Sequence, residues 1–233
     1  MPRRTDLSSL SAANRTTLVN LMLQYINDAV VATHTTITHN DVHIFTGHRT
    51  YIEGMESFLL SNGGGQFVPL PKWNPANEVP IEFRVMKPKQ DGTPWVPASP
   101  NMPPVQNPNA APGRAMPAQF AAPAVCSFVN GDVLGNAVNP WHGSVHGNVG
   151  GVFTQFTVAS AVPLFWCWHA FVDEIYWDYQ KCAARTDDIL WQHINGQVHY
   201  WPMQGGQRQG GIDIATPVGS EWRLIGAGDV NGN

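Results

Sequence analysis

Nine histidines stand in a chain of 233 residues that has only 13 lysines and arginines, and they are unevenly spread. His34, His39, His43 and His48 fall within fifteen residues, where even spacing would put fewer than one. His142 and His146 are four apart, which sets both rings on one face of a helix, where they can hold one metal ion between them. His169 follows 23 residues after His146, in a segment that reads as the next helix and can fold back beside the pair. Surface and core histidines are common, so a lone His-x-x-x-His pair weighs little. Two separate clusters weigh more. The three cysteines, Cys126, Cys167 and Cys182, show no ligand spacing. Their odd number indicates neither a disulfide framework nor a thiolate zinc site. No His-Glu-x-x-His arrangement occurs, which argues against a zinc protease. All-imidazole donor sets suit copper, zinc, iron or nickel. Six histidines as three plus three point to a dinuclear centre, and copper leads because neutral imidazole suits both of its redox states.

The elements that must position these residues read mainly as helix. Ser11 to about residue 33 repeats apolar residues at three- and four-residue steps, with Ser11 as a plausible N-cap. A second helix is expected over about 47–60, stopping at Ser61-Asn62-Gly63-Gly64-Gly65. Residues 66–125 carry fourteen prolines, which forbid long helices there and predict a wrapping loop. A short third helix is expected over 140–148 and a fourth over about 164–184. Two pairs of helices around a proline-rich middle predict a mainly α fold, a four-helix bundle with long loops. After Arg185 the character changes. Ile189–Ile194 and Gln197–Trp201 flank Asn195-Gly196, a strong hairpin signal, and a further strand is expected over 221–225. The expected division is therefore 1–185 for the helical domain and 186–233 for a small antiparallel β unit, with His193 and His199 as strand-surface residues.

Composition excludes other classes. A formal charge of -4 and few Lys or Arg argue against nucleic acid as the main partner. No apolar run approaches the roughly 20 residues of a membrane span. Met1–Arg4 is basic, but the polar stretch Thr5–Thr17 is no secretory signal, so the compartment is left open between the cytoplasm and export by another route.

The clusters also carry a family resemblance. His142-Gly143-Ser144-Val145-His146-Gly147-Asn148-Val149-Gly150-Gly151, followed by Pro163-Leu164-Phe165-Trp166-Cys167-Trp168-His169-Ala170-Phe171-Val172-Asp173, resembles the second-copper signature of tyrosinases. His39 through Ile52, with His48-Arg49-Thr50-Tyr51 and then Glu56, resembles the first-copper signature. Leu70-Pro71-Lys72-Trp73-Asn74-Pro75 fits the stretch that follows it. The resemblance covers about residues 16–185. It implies a type 3 copper core with two copper ions, one on His142, His146 and His169 and the other on His39, His48 and a third ligand. Val30-Val31-Ala32-Thr33-His34 resembles the helix end that supplies that third ligand, so His34 is assigned. The loop from His34 to His39 is short for the family, and His43 stays as the competing choice; otherwise His43 is a neighbour that hydrogen-bonds a ligand or packs beside it.

The resemblance further implies oxidation of phenols and catechols to o-quinones with O2, as in a tyrosinase or catechol oxidase. Four departures bear on this. Gly143 stands where many tyrosinases have an Asn thought to orient a water. Trp168 replaces the first His of a His-His pair, and Glu174 replaces a common Arg. No Glu precedes His142 at the family's distance, which leaves Asp132 as the nearest carboxylate. Asp132 and Gly143 are thus the candidate catalytic positions, and diphenol oxidation is expected over monophenol hydroxylation. Phe165 is expected to pack on a ligand ring. The rival from another class is a non-catalytic or latent type 3 copper protein, binding oxygen or copper, with the β unit as a cover. A zinc hydrolase is disfavoured because no carboxylate base is placed beside the ligands. The β unit itself resembles one FG-GAP/VCBS repeat, a surface- or carbohydrate-binding blade on a weaker reading. One blade cannot close a propeller, so that resemblance implies a chain continuing past Asn233.

Overall fold

The computed structural model describes residues 3–183 and, beyond them, the backbone of six strands between 188 and 228. Two compact units emerge, Met1–Ala121 with Val129–Tyr176, and Ala122–Phe128 with Trp177–Asn233. Five α-helices occur among the described residues: α1 (Ala12–Tyr25), α2 (Asp28–Thr33), α3 (His43–Ser61), α4 (Gly131–Val149) and α5 (Pro163–Ala183).

The Ser11 hydroxyl accepts the Asn14 N–H at 3.2 Å and caps α1 as expected. The single helix expected to run on to residue 33 instead breaks at Ile26-Asn27. There the Asn27 side chain accepts the Val30 N–H at 3.0 Å and starts α2. Asn favours an N-cap over a helix interior. Leu18, Val19, Met22, Ile26 and Val31 are buried on both sides of the break, so the apolar pattern passes through it unmarked. Helix α3 begins at His43, four residues before expectation, and buries Ile44, Phe45, His48, Ile52, Met55 and Leu59.

Helix α4 is the largest departure. It starts at Gly131, nine residues before the expected start, and its cap is Asn130, whose side chain accepts the Val133 N–H at 2.9 Å. Pro140 suits a helix's first turn, but here it lies inside α4. It brings no N–H to the carbonyl four residues back. Leu134, Val138, Trp141, Val145 and Val149 form a continuous buried row, and that row holds the helix together across the proline. Between α3 and α4 the described chain makes only short 3₁₀ turns, as the proline density requires. The loop is pinned to the α5 region by Trp73 N–H to the Cys167 carbonyl (2.8 Å) and Lys87 N–H to the Ala161 carbonyl (2.9 Å).

The N-terminal segment is tied in by buried charge. Arg4 reaches Glu56 of α3 at 2.6 Å and Asp173 of α5 at 2.9 Å, while Arg49 holds the other Asp173 oxygen at 2.6 Å. In the second unit Cys126 and Cys182 form a disulfide, with Cα atoms 5.3 Å apart. This corrects the expectation of no disulfide: the odd count hides one bonded pair plus Cys167, which is free and buried. Strand β1 (Asp188–His193) pairs antiparallel with β2 (Val198–Trp201) and β6 (Trp222–Gly228), and β2 with β5 (Ile212–Asp213), in the order β5-β2-β1-β6. Strands β3 (Met203–Gln204) and β4 (Gln207–Arg208) pair separately. The Asn195-Gly196 turn and the side chains of His193 and His199 lie outside the described residues.

Candidate metal centre

Each of the six sequence-assigned ligands sits on a defined element. His34 ends α2, His39 lies in the loop to α3, His48 is on α3, His142 and His146 are on α4, and His169 is on α5. His34, His48, His142 and His169 are all buried; His39 and His146 are partly so. The loop carrying His39 is docked on the first half of α4. Asp41 N–H donates to Asn136 Oδ1 at 3.0 Å, and Val42 N–H donates to Asp132 Oδ1 at 3.2 Å. Gly135 makes this approach possible, because a Cβ there would lie 1.7 Å from the Asp41 carbonyl oxygen. At the other end α4 stops at Gly150 and Gly151, with φ of +70° and +68°, a region open to glycine. That tight turn brings the Phe153 carbonyl to His146 Nδ1 at 2.7 Å.

The ring nitrogens are oriented by the backbone. His34 Nδ1 donates to the Phe156 carbonyl (2.8 Å), His39 to Ile37 (2.7 Å), His48 to Ile44 (2.7 Å) and His146 to Phe153. A carbonyl only accepts, so in these four neutral rings the proton is on Nδ1 and Nε2 bears a lone pair. Nε2 atoms of the set lie close together: His34 to His48 at 3.2 Å, where both bear lone pairs, and His142 to His146 at 3.2 Å and to His169 at 3.4 Å, where no carbonyl fixes the tautomers of His142 and His169. Burial pushes every one of the six below the ordinary 6.5, His34 to about 3 and His146 to about 4. No imidazolium proton is therefore present near neutral pH to separate the facing lone pairs of His34 and His48. A metal ion bound there would do that job, and an all-nitrogen set with no thiolate or carboxylate suits copper. Buried His142 Nδ1 and His169 Nδ1 have no partner among the described residues.

Two groups have donor atoms within 4.8 Å of one another, His34-His48-His169 and His142-His146-His169. His169 joins both because its ring stacks on that of His48, centroids 3.8 Å apart. His39 stands beside the first group, 4.7 Å from the His48 ring and 5.0 Å from that of His34. Phe165 packs on these rings as expected, 4.2 Å from His169 and 4.7 Å from His34. Trp168 lies parallel to His142 at 6.0 Å.

Other sequence candidates fall elsewhere. His43 is exposed, pairs with Asp41 at 2.5 Å and lines a separate cleft with Thr36, Thr46 and Thr50. Asp132 is an exposed residue whose Oδ1 accepts the N–H of Val42, the residue just before α3. Ten helical residues put it about 15 Å from His142 along α4. It is not brought to the imidazoles, and what it does is position the His39 loop. Gly143 does border the site. It lines a cavity of about 230 Å³ with His34, His39, His142, His146, Asn139, Thr154, Phe156 and Ala159. Sequence reasoning missed Asn139, Thr154 and Phe156. Asn139 carried a faint signal, being three and seven residues before His142 and His146 on one helix face; the other two depend on the turn at Gly150-Gly151.

Fold and site together bring two groups of buried histidines, each able to hold a metal ion, into a helical core. Residues 118–182 match the family model of the common central domain of tyrosinase, a stretch that holds His142, His146 and His169. The match spans 65 of the 233 residues, so it is this stretch that is similar to the tyrosinase central domain, and the histidine groups it helps to form are consistent with metal binding. It stops short of the strands beyond residue 188. Neither a curated protein nor a solved structure matches the chain. No helix among the described residues is long and apolar enough to cross a membrane.

Proposed function

We propose that the chain holds two copper ions, one on His34, His39 and His48 and the other on His142, His146 and His169, and oxidises phenolic substrates, catechols foremost, to o-quinones with O2. The observation that carries this reading is the convergence of imidazole Nε2 atoms in a buried space, with lone pairs facing each other at His34 and His48. When bound, the copper pair supplies O2 activation and accepts the substrate's electrons. The chain's own part is to fix the imidazoles through their Nδ1–H donations to backbone carbonyls, to keep water from the centre with Phe165, and to offer an open wall at Gly143. No carboxylate lines the cavity among the described residues, so none is placed there to take a proton from an incoming monophenol. This favours diphenols. The test is quinone absorbance from 4-methylcatechol or L-DOPA with the copper-loaded full-length chain; full copper content without quinone overturns the reading. Residues 186–233 are read as a separate β unit of the FG-GAP/VCBS type. If it covers the site, limited proteolysis near residue 186 raises quinone formation.

A further inference from the structure

We infer that the pocket beside the imidazoles selects an uncharged, single-ring substrate and that the Asn139 amide reads the ring's substituent. This deepens the phenol reading above and rests on it. The cavity, about 230 Å³, is smaller than the roughly 300–1,000 Å³ of sites for drug-sized ligands. Its lining beyond the imidazoles is Asn139, Gly143, Thr154, Phe156 and Ala159, none of them charged. With the phenol oxygen facing the imidazoles, a carboxylate or ammonium at the far end of the ring would lose hydration there and meet no opposite charge among the lining side chains.

Asn139 is the polar feature of this wall. It lies three residues before His142 and seven before His146, hence on their face of α4. Its neighbours along the helix are engaged: Asn136 Oδ1 accepts the Asp41 N–H at 3.0 Å, and Asn148 Nδ2 donates to Ser144 Oγ at 3.1 Å. Among the described residues the half-buried Asn139 amide has no hydrogen-bond partner. Gly143, one turn on, leaves the space beside it open, with no atom within 4 Å of where a Cβ would stand. Phe156 is 49% exposed, with its ring 4.8 Å from that of His39 and 5.1 Å from that of His34. It gives the substrate ring an apolar face to pack on. An amide offers both a donor and an acceptor, which suits a carboxamide, carbonyl or hydroxymethyl substituent.

The experiment uses the full chain loaded with Zn(II), which has no redox chemistry, so that binding is read without turnover. Titration calorimetry compares 4-hydroxybenzamide with the anionic 4-hydroxybenzoate and the cationic tyramine. The neutral amide is expected to bind about ten-fold tighter than either charged analogue. Asn139→Leu is expected to weaken the amide about five-fold while phenol itself is unaffected. Asn139→Asp is expected to bring tyramine above the amide and to push 4-hydroxybenzoate further down, a reversal that a merely structural role does not produce. Equal binding of the three probes, or a ranking unmoved by Asn139→Asp, overturns the inference and leaves the phenol reading standing. Absence of binding by any phenol to fully zinc-loaded protein overturns both.

Discussion

In the metal-free protein, acid should unfold the chain through the same imidazoles that converge on the site. An unfolded chain takes up a proton at His34 with the ordinary value of 6.5, whereas burial holds the folded-state value at about 3. Between those values the unfolded state binds more protons than the folded one, so stability is lost as pH falls. At about pH 5 the gap from 6.5 is about 1.5 units, and at 1.36 kcal/mol per unit His34 alone removes about 2 kcal/mol. His146, held at about 4, removes about 2 kcal/mol over the same interval. His39, His48, His142 and His169 shift in the same direction and add to the loss. The two residues together already remove about 4 kcal/mol, against the roughly 5–15 kcal/mol total stability of an ordinary domain. The assay is urea unfolding of chelator-treated full-length protein at about pH 7.5 and about pH 5, with midpoint and slope both fitted. A much lower midpoint in acid is expected, and His146→Gln should reduce the difference. Equal midpoints, or greater stability in acid, would refute the claim that these rings are buried and neutral.

Three further outcomes follow from the packing. Arg4→Met strands the buried carboxylate of Glu56 and leaves Asp173 with Arg49 alone, and should cost about 3 kcal/mol, read as a lower urea midpoint. Reducing the Cys126–Cys182 disulfide, which spans a sequence separation of 56 residues, should cost up to about 4 kcal/mol, checked by thermal melts with and without reductant. Gly→Ala should act with opposite signs within α4. Gly147→Ala, with nothing within 4 Å, should stabilise by about 0.5–1 kcal/mol, whereas Gly135→Ala drives a Cβ into the Asp41 carbonyl and should destabilise. Paired melts of the two variants check this.

How far the sequence reported all this depends on the kind of signal. The positions of His142, His146 and His169 were legible because a four-residue step and the next helix are local facts. So was the start of α1, where Ser11 makes the cap it looked able to make. The break at Asn27 was hidden because the buried apolar row runs on through it. The start of α4 was hidden because a proline that looks like a first-turn residue sits mid-helix, held by packing on its flanks. Asp132 looked close to His142 in the chain, but residues ten apart on one helix are distant in space, and its carboxylate serves the α3 start instead. Cysteine parity says nothing about which two pair. Thr154 and Phe156 reach the cavity only through a turn in which Gly151 packs against the Pro103 carbonyl, and no spacing rule encodes that contact.

Copper per chain is the most direct measurement of the central claim. Full-length protein, loaded with copper and freed of excess by gel filtration, should contain about two ions per chain by elemental analysis. His48→Ala and His146→Ala should each reduce that to about one. About one ion in the unaltered protein, or a content unchanged by both substitutions, would contradict a dinuclear centre built from these histidines.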